Sequence, residues 1–493
     1  MSNVESELQV IERRLQGERV VSSGEPAPEF RQGGPPVVLL YPSPYRAGMS
    51  SLGFQWILTV LRRAGLSVER AFLPDDVDAW RRSRRPLLSY ETRTPVSHFP
   101  VVAVSLAYEL ELAGLVTALD LAGIPALRRD RGAGDPLVVL GGPITFSNPL
   151  PAAAFADAML LGEADDTVLA IGAGDRGAIV EAIAGSPGGY VPARHGTTLP
   201  PTAQSATLPA RGGILAPDAE LSGMFLVEPE RGCHRACTFC VMRRGEGAGM
   251  RLVSAEALLA LVPEEAHRVG LVGAAVSDHP GLVDILGALV ETGHEVGVSS
   301  LRADRVARKP EIPRLLRAAG YQTLTVASDA ASQRLRRQIV KGTTEAHLLA
   351  CAEAVAEHGF RTLKVYMMLG LPDETDEDIE ELVAFSRKLA TVSPVALGIA
   401  PFVPKRNTPL DGAVFAGVRL VEKRLARLKQ GLRGAVEVRA TSARWAWVEA
   451  ELAQGGPETG EAVARAVRGG GSFSAWKRAL GEVPEESKAP WRH

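Results

Sequence analysis

Residues 225–240 read Phe225-Leu226-Val227-Glu228-Pro229-Glu230-Arg231-Gly232-Cys233-His234-Arg235-Ala236-Cys237-Thr238-Phe239-Cys240. A short apolar strand runs into a loop that carries three cysteines spaced Cys-x3-Cys-x2-Cys. Thiolates are the ligands that iron–sulfur clusters need. Cys233, Cys237 and Cys240 can hold three irons of a cubane, which leaves the fourth iron open to a substrate or cofactor. The one other cysteine, Cys351, lies in a helical segment far along the chain and reads as a buried apolar thiol. Two blander uses of the loop stand beside this one. A structural zinc site wants four Cys or His ligands, and the only histidine in the loop, His234, is awkwardly adjacent to Cys233. A redox Cys-x2-Cys pair leaves Cys233 without a role.

Outward from the loop, strand–helix alternation continues. Apolar strands are expected near Phe225–Glu228, Val269–Ala275, Val296–Ser300, Leu324–Ala327, Thr362–Met368 and Val395–Ala400, with helices such as Glu345–His358 and Asp376–Ala390 between them. Six such units over residues 221–411 fit a partial (β/α)6 TIM-like barrel, whose active site belongs in the loops after the strands. Upstream, apolar strands at Val37–Tyr41, Val101–Leu106, Leu137–Leu140 and Ala158–Leu161 alternate with helices at about 52–64 and 110–122. That pattern predicts an α/β fold with a doubly wound parallel sheet over 35–185. Its ligand crevice falls at the strand C-terminal ends, in the loops Pro42–Ser50, Ser105–Glu109, Gly141–Thr145 and Gly162–Asp165. Residues 1–34 read as a helix and linker, 186–220 as a Gly/Pro/Thr-rich linker, and 412–493 as a mainly helical C-terminal region.

The formal net charge of −2 gives no global basic field, so nucleic acid is not an expected partner. The Arg-rich pieces 81–85 and 334–337 read as solvated helix faces, and Trp445 and Trp447 as core packing rather than as stacking platforms for a strand. Four cysteines in 493 residues, three of them in one loop, do not form a secreted disulfide framework. No signal-peptide pattern and no apolar run long enough to cross a membrane stands out, so a cytoplasmic protein is expected.

Cys-x3-Cys-x2-Cys after the first strand of a partial barrel resembles the radical S-adenosylmethionine (SAM) superfamily. Phe239, just before the last cysteine, matches the aromatic usual there. More of the chain is similar to the subgroup with an N-terminal cobalamin-binding-type, Rossmann-like domain: Tyr45-Arg46-Ala47-Gly48-Met49-Ser50-Ser51-Leu52-Gly53, Gly141-Gly142-Pro143, Leu161-Gly162-Glu163, Ser300-Leu301-Arg302-Ala303-Asp304, Lys341-Gly342-Thr343-Thr344, Gly370-Leu371-Pro372-Asp373-Glu374-Thr375, Pro401-Phe402-Val403-Pro404-Lys405 and Arg439-Ala440-Thr441-Ser442. The resemblance implies a [4Fe-4S] cluster on Cys233, Cys237 and Cys240. It implies SAM over Val272-Gly273-Ala274-Ala275, near Phe239, Ser299 and Arg302, with its adenine near Gly370 and Pro372. Arg302 can pair with the SAM carboxylate in a bidentate fork. Ser105, Tyr108, Gly141, Gly142, Gly162 and Glu163 fall where a cobalamin would lie. Asp373, Glu374 and Asp376 read as caps and dipole partners of the following helix.

The chemistry implied is reductive cleavage of SAM to methionine and a 5′-deoxyadenosyl radical, with a flavodoxin or ferredoxin as the expected reductant. The leading expectation is cobalamin-assisted methyl transfer to an unactivated carbon. The Asp-x-His-x-x-Gly motif that ligates cobalt in many cobalamin domains is absent, and His98 lacks its surroundings. A radical SAM rearrangement, cyclisation or sulfur-insertion enzyme with a non-functional cobalamin domain is therefore the alternative, and a non-catalytic iron–sulfur binding or regulatory protein is a third. No cysteine precedes Cys233, which argues against the methylthiotransferases that hold a second cluster. The sequence names no substrate.

Overall fold

A computed structural model describes residues 3–21, 34–242 and 249–484. The chain divides into two compact units, Met1–Phe225 with Glu451–His493, and Leu226–Ala450.

The first unit is built on a six-stranded sheet. In spatial order its strands are Val68–Leu73, Val37–Pro44, Val101–Ser105, Leu137–Gly141, Ala158–Leu160 and Gly189–Tyr190. The first five run parallel and the last is antiparallel. Apolar runs such as Val37-Val38-Leu39-Leu40 are buried throughout, as befits strands with helices on both faces. In chain order the parallel strands stand 2-1-3-4-5, so the topological switch lies between Val37–Pro44 and Val101–Ser105.

The edge strand Val68–Leu73 is not among the sequence expectations, because Glu69 and Arg70 interrupt its apolar run. Arg70 is buried all the same. Its Nε donates to Glu91 Oε1 at 2.7 Å and its Nη1 to Glu18 Oε1 at 2.7 Å. The Tyr45 hydroxyl also donates to Glu18 Oε1, and the Tyr45 ring stacks on Tyr90 at 5.3 Å. The helix Asn3–Gly17 buries Ile11 and Arg14. Arg19–Val20, in the first expected linker, pairs antiparallel with Ile214–Leu215 in the second. At the other end of the chain, helix Pro457–Arg468 packs on Leu150–Ala153 and on Glu111–Ala122. Gly460 permits this approach, since a Cβ there would sit 2.0 Å from the Pro151 carbonyl. The Asn148 amide ties the turn by donating to the carbonyls of Ala453 (3.1 Å) and Gly455 (2.7 Å).

The second unit holds a three-stranded sheet, Met224–Val227, Arg268–Leu271 and Glu295–Val298, and a five-stranded parallel sheet, Leu301–Arg302, Thr323–Ala327, Thr362–Leu369, Val395–Pro401 and Glu437–Ala440. Each expected barrel strand is present, and two further strands, Leu301–Arg302 and Glu437–Ala440, join them. Only Ser299-Ser300 separates the last strand of the first sheet from the first of the second.

Two expectations are corrected. Arg336 is 1% exposed rather than solvated, with its Nη1 reaching Ser328 Oγ and the Ala330 carbonyl. Trp445 is 38% exposed, and the core-facing side of its helix is carried by Ala443, Ala446, Val448 and Ala450 instead. Among the described residues no helix is long and apolar enough to cross a membrane.

Candidate functional site

The cysteine loop leaves the C-terminal end of the first strand of the second unit. Glu230–Arg231 pairs antiparallel with Arg251–Leu252 and starts the loop. Its far side is fixed by backbone: Thr238 N–H donates to the Ile339 carbonyl at 3.1 Å, and Leu410 N–H donates to the Thr238 carbonyl at 3.3 Å. The Cys237 thiol lies 3.8 Å from the Val340 carbonyl. Val340 has φ +54°, a left-handed backbone that a β-branched residue adopts only under strain. The segment 339–342, which contains the Lys341-Gly342 of the family motif, is thereby pressed against the loop.

Cys233, Cys237 and Cys240 are all free thiols. Arg235 N–H points at Cys233 Sγ (3.4 Å), and Cys240 N–H at the Cys237 carbonyl (3.4 Å). Burial pushes the Cys233 and Cys240 thiols above the ordinary thiol range, and the neighbouring thiols push the same way, while Lys341 opposes them at Cys240. Three thiols on one loop that interact electrostatically, with the Asp278 and Glu230 carboxylates acting on Cys233 as well, supply the donor type suited to a polynuclear cluster in which each thiolate takes one iron. His234 turns away from this set: its Nδ1 lies 3.3 Å from Met250 Sδ and its Nε2 3.9 Å from Asp278. Among the described residues no three His, Cys, Asp or Glu side chains, the three cysteines included, are already arranged around one point as ligands of a metal ion. Cys351 is fully buried in the helix Glu345–His358, with its thiol near the Ala303 carbonyl.

The loop is tethered by charge as well. Asp278, whose carboxylate is wholly buried, accepts from Arg235 Nε at 2.7 Å and Nη2 at 2.5 Å, and from Arg305 Nε at 2.5 Å. Burial opposes its ionisation, but the hydrogen bonds from Arg235 and Arg305 win and hold its carboxyl down to about 2. Arg302 extends the network. Its Nε donates to Asp304 at 2.9 Å and its Nη2 to the Lys341 carbonyl at 2.6 Å. Lys341 itself pairs with Asp329. Arg235, Asp278 and Lys341 are not among the expected site residues, although Arg235 lies inside the cysteine loop and Lys341 inside the family motif; Asp278 is a single charge with no period or spacing to mark it.

The residues expected around SAM all lie at the same end of these strands. Phe239 is half-buried beside the thiols, Ala274 and Ser299 are exposed, and Arg302 is buried with the partners just named. Gly273 packs on Glu230, whose carboxylate accepts from Ala275 N–H at 2.6 Å; a Cβ at Gly273 would meet Glu230 Oε1 at 2.2 Å. The strand end Val272–Ala275 therefore curls around a buried acid. Gly370 has φ +87°, and its N–H donates to Glu374 Oε1 at 2.8 Å. Pro372 is half-buried in the same turn. Glu374 is not a helix cap: it is buried and pairs with Arg424 Nη1 at 2.8 Å. Burial raises its carboxyl to about 7, against the pull of Gly370 N–H and Arg424. Capping falls to Thr375 and Asp378, and Asp376 pairs with Lys423, Arg424 and Arg427.

In the first unit the expected cobalamin residues have local partners. Gly142 (φ +104°) lies on the backbone of Leu106, where a Cβ would come within 2.5 Å of the carbonyl; Gly162 (φ +91°) lies likewise on Ala203. Glu163 is buried and accepts from Ser205 N–H at 2.8 Å. Gly141 and Ser105 are half-buried and in register with one another, and Tyr108 is 48% exposed. At the topological switch, Glu111 bridges the two strand ends, accepting from Ala107 N–H (2.6 Å) and Ser43 Oγ (3.4 Å). His98 is exposed in the turn that precedes Val101–Ser105, at the opposite end of that strand from these loops.

Comparison with known proteins agrees with this geometry. Residues 53–192 match the family described as radical SAM proteins, N-terminal, and residues 227–386 the radical SAM superfamily. An uncharacterized protein of Methanocaldococcus jannaschii, MJ0966, is 27% identical over 412 residues, spanning 80% of this chain and 84% of its own length. Among solved structures, the fold is shared with TsrM of Kitasatospora setae, a radical SAM methyltransferase solved with tryptophan substrate and aza-SAM, at TM-score 0.55 and 16% identity over 78% of this chain and 76% of that one. It is also shared with the cobalamin-dependent SAM radical enzyme OxsB at TM-score 0.50 and 12% identity, over 90% and 72%. Both units carry a radical SAM match, together over more than half of the chain: the protein belongs to the radical SAM superfamily.

Proposed function

We propose that this chain reductively cleaves SAM at a [4Fe-4S] cluster held by Cys233, Cys237 and Cys240, and uses the radical for cobalamin-assisted methyl transfer to carbon. What supports the first part is the Cys-x3-Cys-x2-Cys spacing on one loop after the first strand of the second unit, with all three cysteines free thiols. The cluster, when bound, supplies the electron that breaks a C–S bond of SAM. The chain's own residues hold the loop. Arg235 and Asp278 clamp it from one side, and the Ile339 carbonyl clamps it from the other. Glu374 and Arg424 fix the Gly370–Pro372 turn on which the adenine is expected. Arg302 spends two of its five N–H donors on Asp304 and the Lys341 carbonyl, which hold the guanidinium in place and leave Nη1 available for a SAM carboxylate. A flavodoxin or ferredoxin is the reductant proposed.

Support for methyl transfer is the fold shared with TsrM and OxsB. His98 precedes its strand and so is not placed to serve a cobalamin at the strand C-terminal ends, where the group would be held by the loops after the strands. A second reading rests on the covered glycines: Gly142 and Gly162 are filled by Leu106 and Ala203. In that reading the first unit is a scaffold for a cobalamin-free rearrangement, cyclisation or sulfur insertion. Anaerobic purification with cobalamin supplied, followed by iron, sulfide and cobalt quantitation and 5′-deoxyadenosine analysis, tests both. Iron with stoichiometric cobalt is the expected result. Iron and SAM cleavage without cobalt select the second reading, and a chain that binds no iron overturns both.

A further inference from the structure

The strand Thr362–Leu369 has two unlike faces. Leu363, Val365, Met367 and Leu369 are buried, whereas Lys364, Tyr366 and Met368 point to the other side and stay partly open. Register puts Tyr366 between Ala327 and Gly398, and Lys364 between Thr325 and Ala396. Small neighbours on both sides make a trough in this face, floored by the two longer side chains.

Gly398 shapes the trough. A Cβ there would lie 2.6 Å from Tyr366 Cδ1 and 2.7 Å from Cε1, so only glycine lets the ring lie across the neighbouring strand. With the ring in that position, Lys364 Nζ stands 4.7 Å from its centroid. Three cations lie on this ladder of strands. Arg302, in register with Ala327, is committed to Asp304, and Arg439, in register with Gly398, pairs with Glu437 at 2.7 Å. Lys364 has no carboxylate within ion-pair distance among the described residues. Lys364 is a partly open residue with its ammonium against an aromatic face and no counter-charge beside it among the described residues, which leaves it free to meet an anion.

We propose that Lys364 and Tyr366 form a substrate subsite for an organic anion: one negative group against the ammonium, and an apolar body along the ring, Met368 and Ala400. The inference rests on the radical SAM reading above and adds the class of substrate. A charge-assisted contact discriminates charged from neutral ligands by about tenfold or more.

The probes are benzoate, benzamide and benzylamine, titrated by ligand-observed NMR into the anaerobic, cluster-loaded full chain with saturating SAM. Benzoate is expected to bind saturably and at least about tenfold tighter than benzamide, with benzylamine weakest. Lys364→Met removes that preference and Lys364→Arg restores it, with iron content and unfolding midpoint showing that both variants are intact. Equal binding of benzoate and benzamide overturns the subsite, as does an unchanged preference in Lys364→Met. Displacement of benzoate by SAM overturns it too, because the ammonium then serves the cofactor's own carboxylate. Wild-type protein that holds iron and cleaves SAM without any benzoate preference sinks the subsite alone, whereas absence of iron and SAM cleavage sinks the reading beneath it.

Discussion

Replacing Asp278 by alanine is predicted to loosen the cysteine loop without touching a cysteine. The carboxylate is wholly buried and receives two hydrogen bonds from Arg235 and one from Arg305. Removing one partner of a buried charge pair costs roughly 3–5 kcal/mol, mostly because the remaining charge is stranded. Here Arg235 and Arg305 keep 24% and 28% of their side-chain surface, so water recovers part of that and about 2–4 kcal/mol is expected. Asp278→Asn keeps the shape and loses only the charge. With the carboxyl at about 2 in the fold, below its ordinary value near 3.8, the charge contributes about 2 kcal/mol. The sign follows from the depressed value: this contribution is present above pH 4 and is lost as pH falls toward 2. Urea unfolding of the anaerobic protein measures the stability. Iron per chain after a timed chelator challenge measures the loop, since Arg235 stands between Cys233 and Cys237. Asp278→Ala should unfold at lower urea and release iron faster, with Asp278→Asn between it and wild type. The reasoning is refuted if Asp278→Ala holds its iron as long as wild type and unfolds within about 0.5 kcal/mol of it, the range of an ordinary surface change.

Cys233→Ala, Cys237→Ala and Cys240→Ala should each lose the cluster, because three thiolates leave no spare; Cys351→Ala should keep full iron and the visible absorption of wild type, and loss of iron there would move the ligand set. Arg70→Ala strands Glu18 and Glu91 in the first unit and should cost about 3–5 kcal/mol by chemical unfolding; Arg70→Met combined with Glu18→Gln should recover much of that. Glu374, raised to about 7 from an ordinary value near 4.5, holds its proton more tightly in the fold than in the unfolded chain. Stability therefore falls as pH rises from 4.5 through 7, by up to about 3 kcal/mol, and Glu374→Gln should flatten that slope in unfolding curves taken across the range.

What could be read in advance follows from how the chain signals each feature. Val37–Leu40, Val101–Val104 and Leu137–Leu140 are apolar on both faces and announce buried parallel strands. The Cys-x3-Cys-x2-Cys spacing needs no fold around it to be recognised. Val68–Leu73 fails that test because its stabilisation is ionic: Arg70 enters the interior only with Glu18 and Glu91, which are distant in sequence. Arg336 misleads in the same way, since a run of arginines on a helix reads as solvated until Ser328 and the Ala330 carbonyl are seen to receive one of them. The clamp on the cysteine loop, Arg235 with Asp278, was illegible because ion pairs across loops leave no periodic trace.

The two sheets differ in a way that bears on function. The central stretches Val37–Leu40, Val101–Val104 and Leu137–Leu140 of the first unit are apolar and buried at every position, so they leave no side-chain face for a ligand, and a ligand there is confined to the strand ends. The strand Thr362–Leu369 alternates instead, with Leu363, Val365, Met367 and Leu369 buried and Lys364, Tyr366 and Met368 on the more open face. An alternating strand in a parallel sheet is a departure from the usual continuous apolar run, and a charge on its open face costs desolvation that packing does not repay. Gly398 compounds the cost, because a strand-interior glycine gives up both packing and conformational entropy. These concessions concentrate around one aromatic ring and one ammonium, where local preference yields to something other than stability, and a ligand that brings a negative charge would offset them.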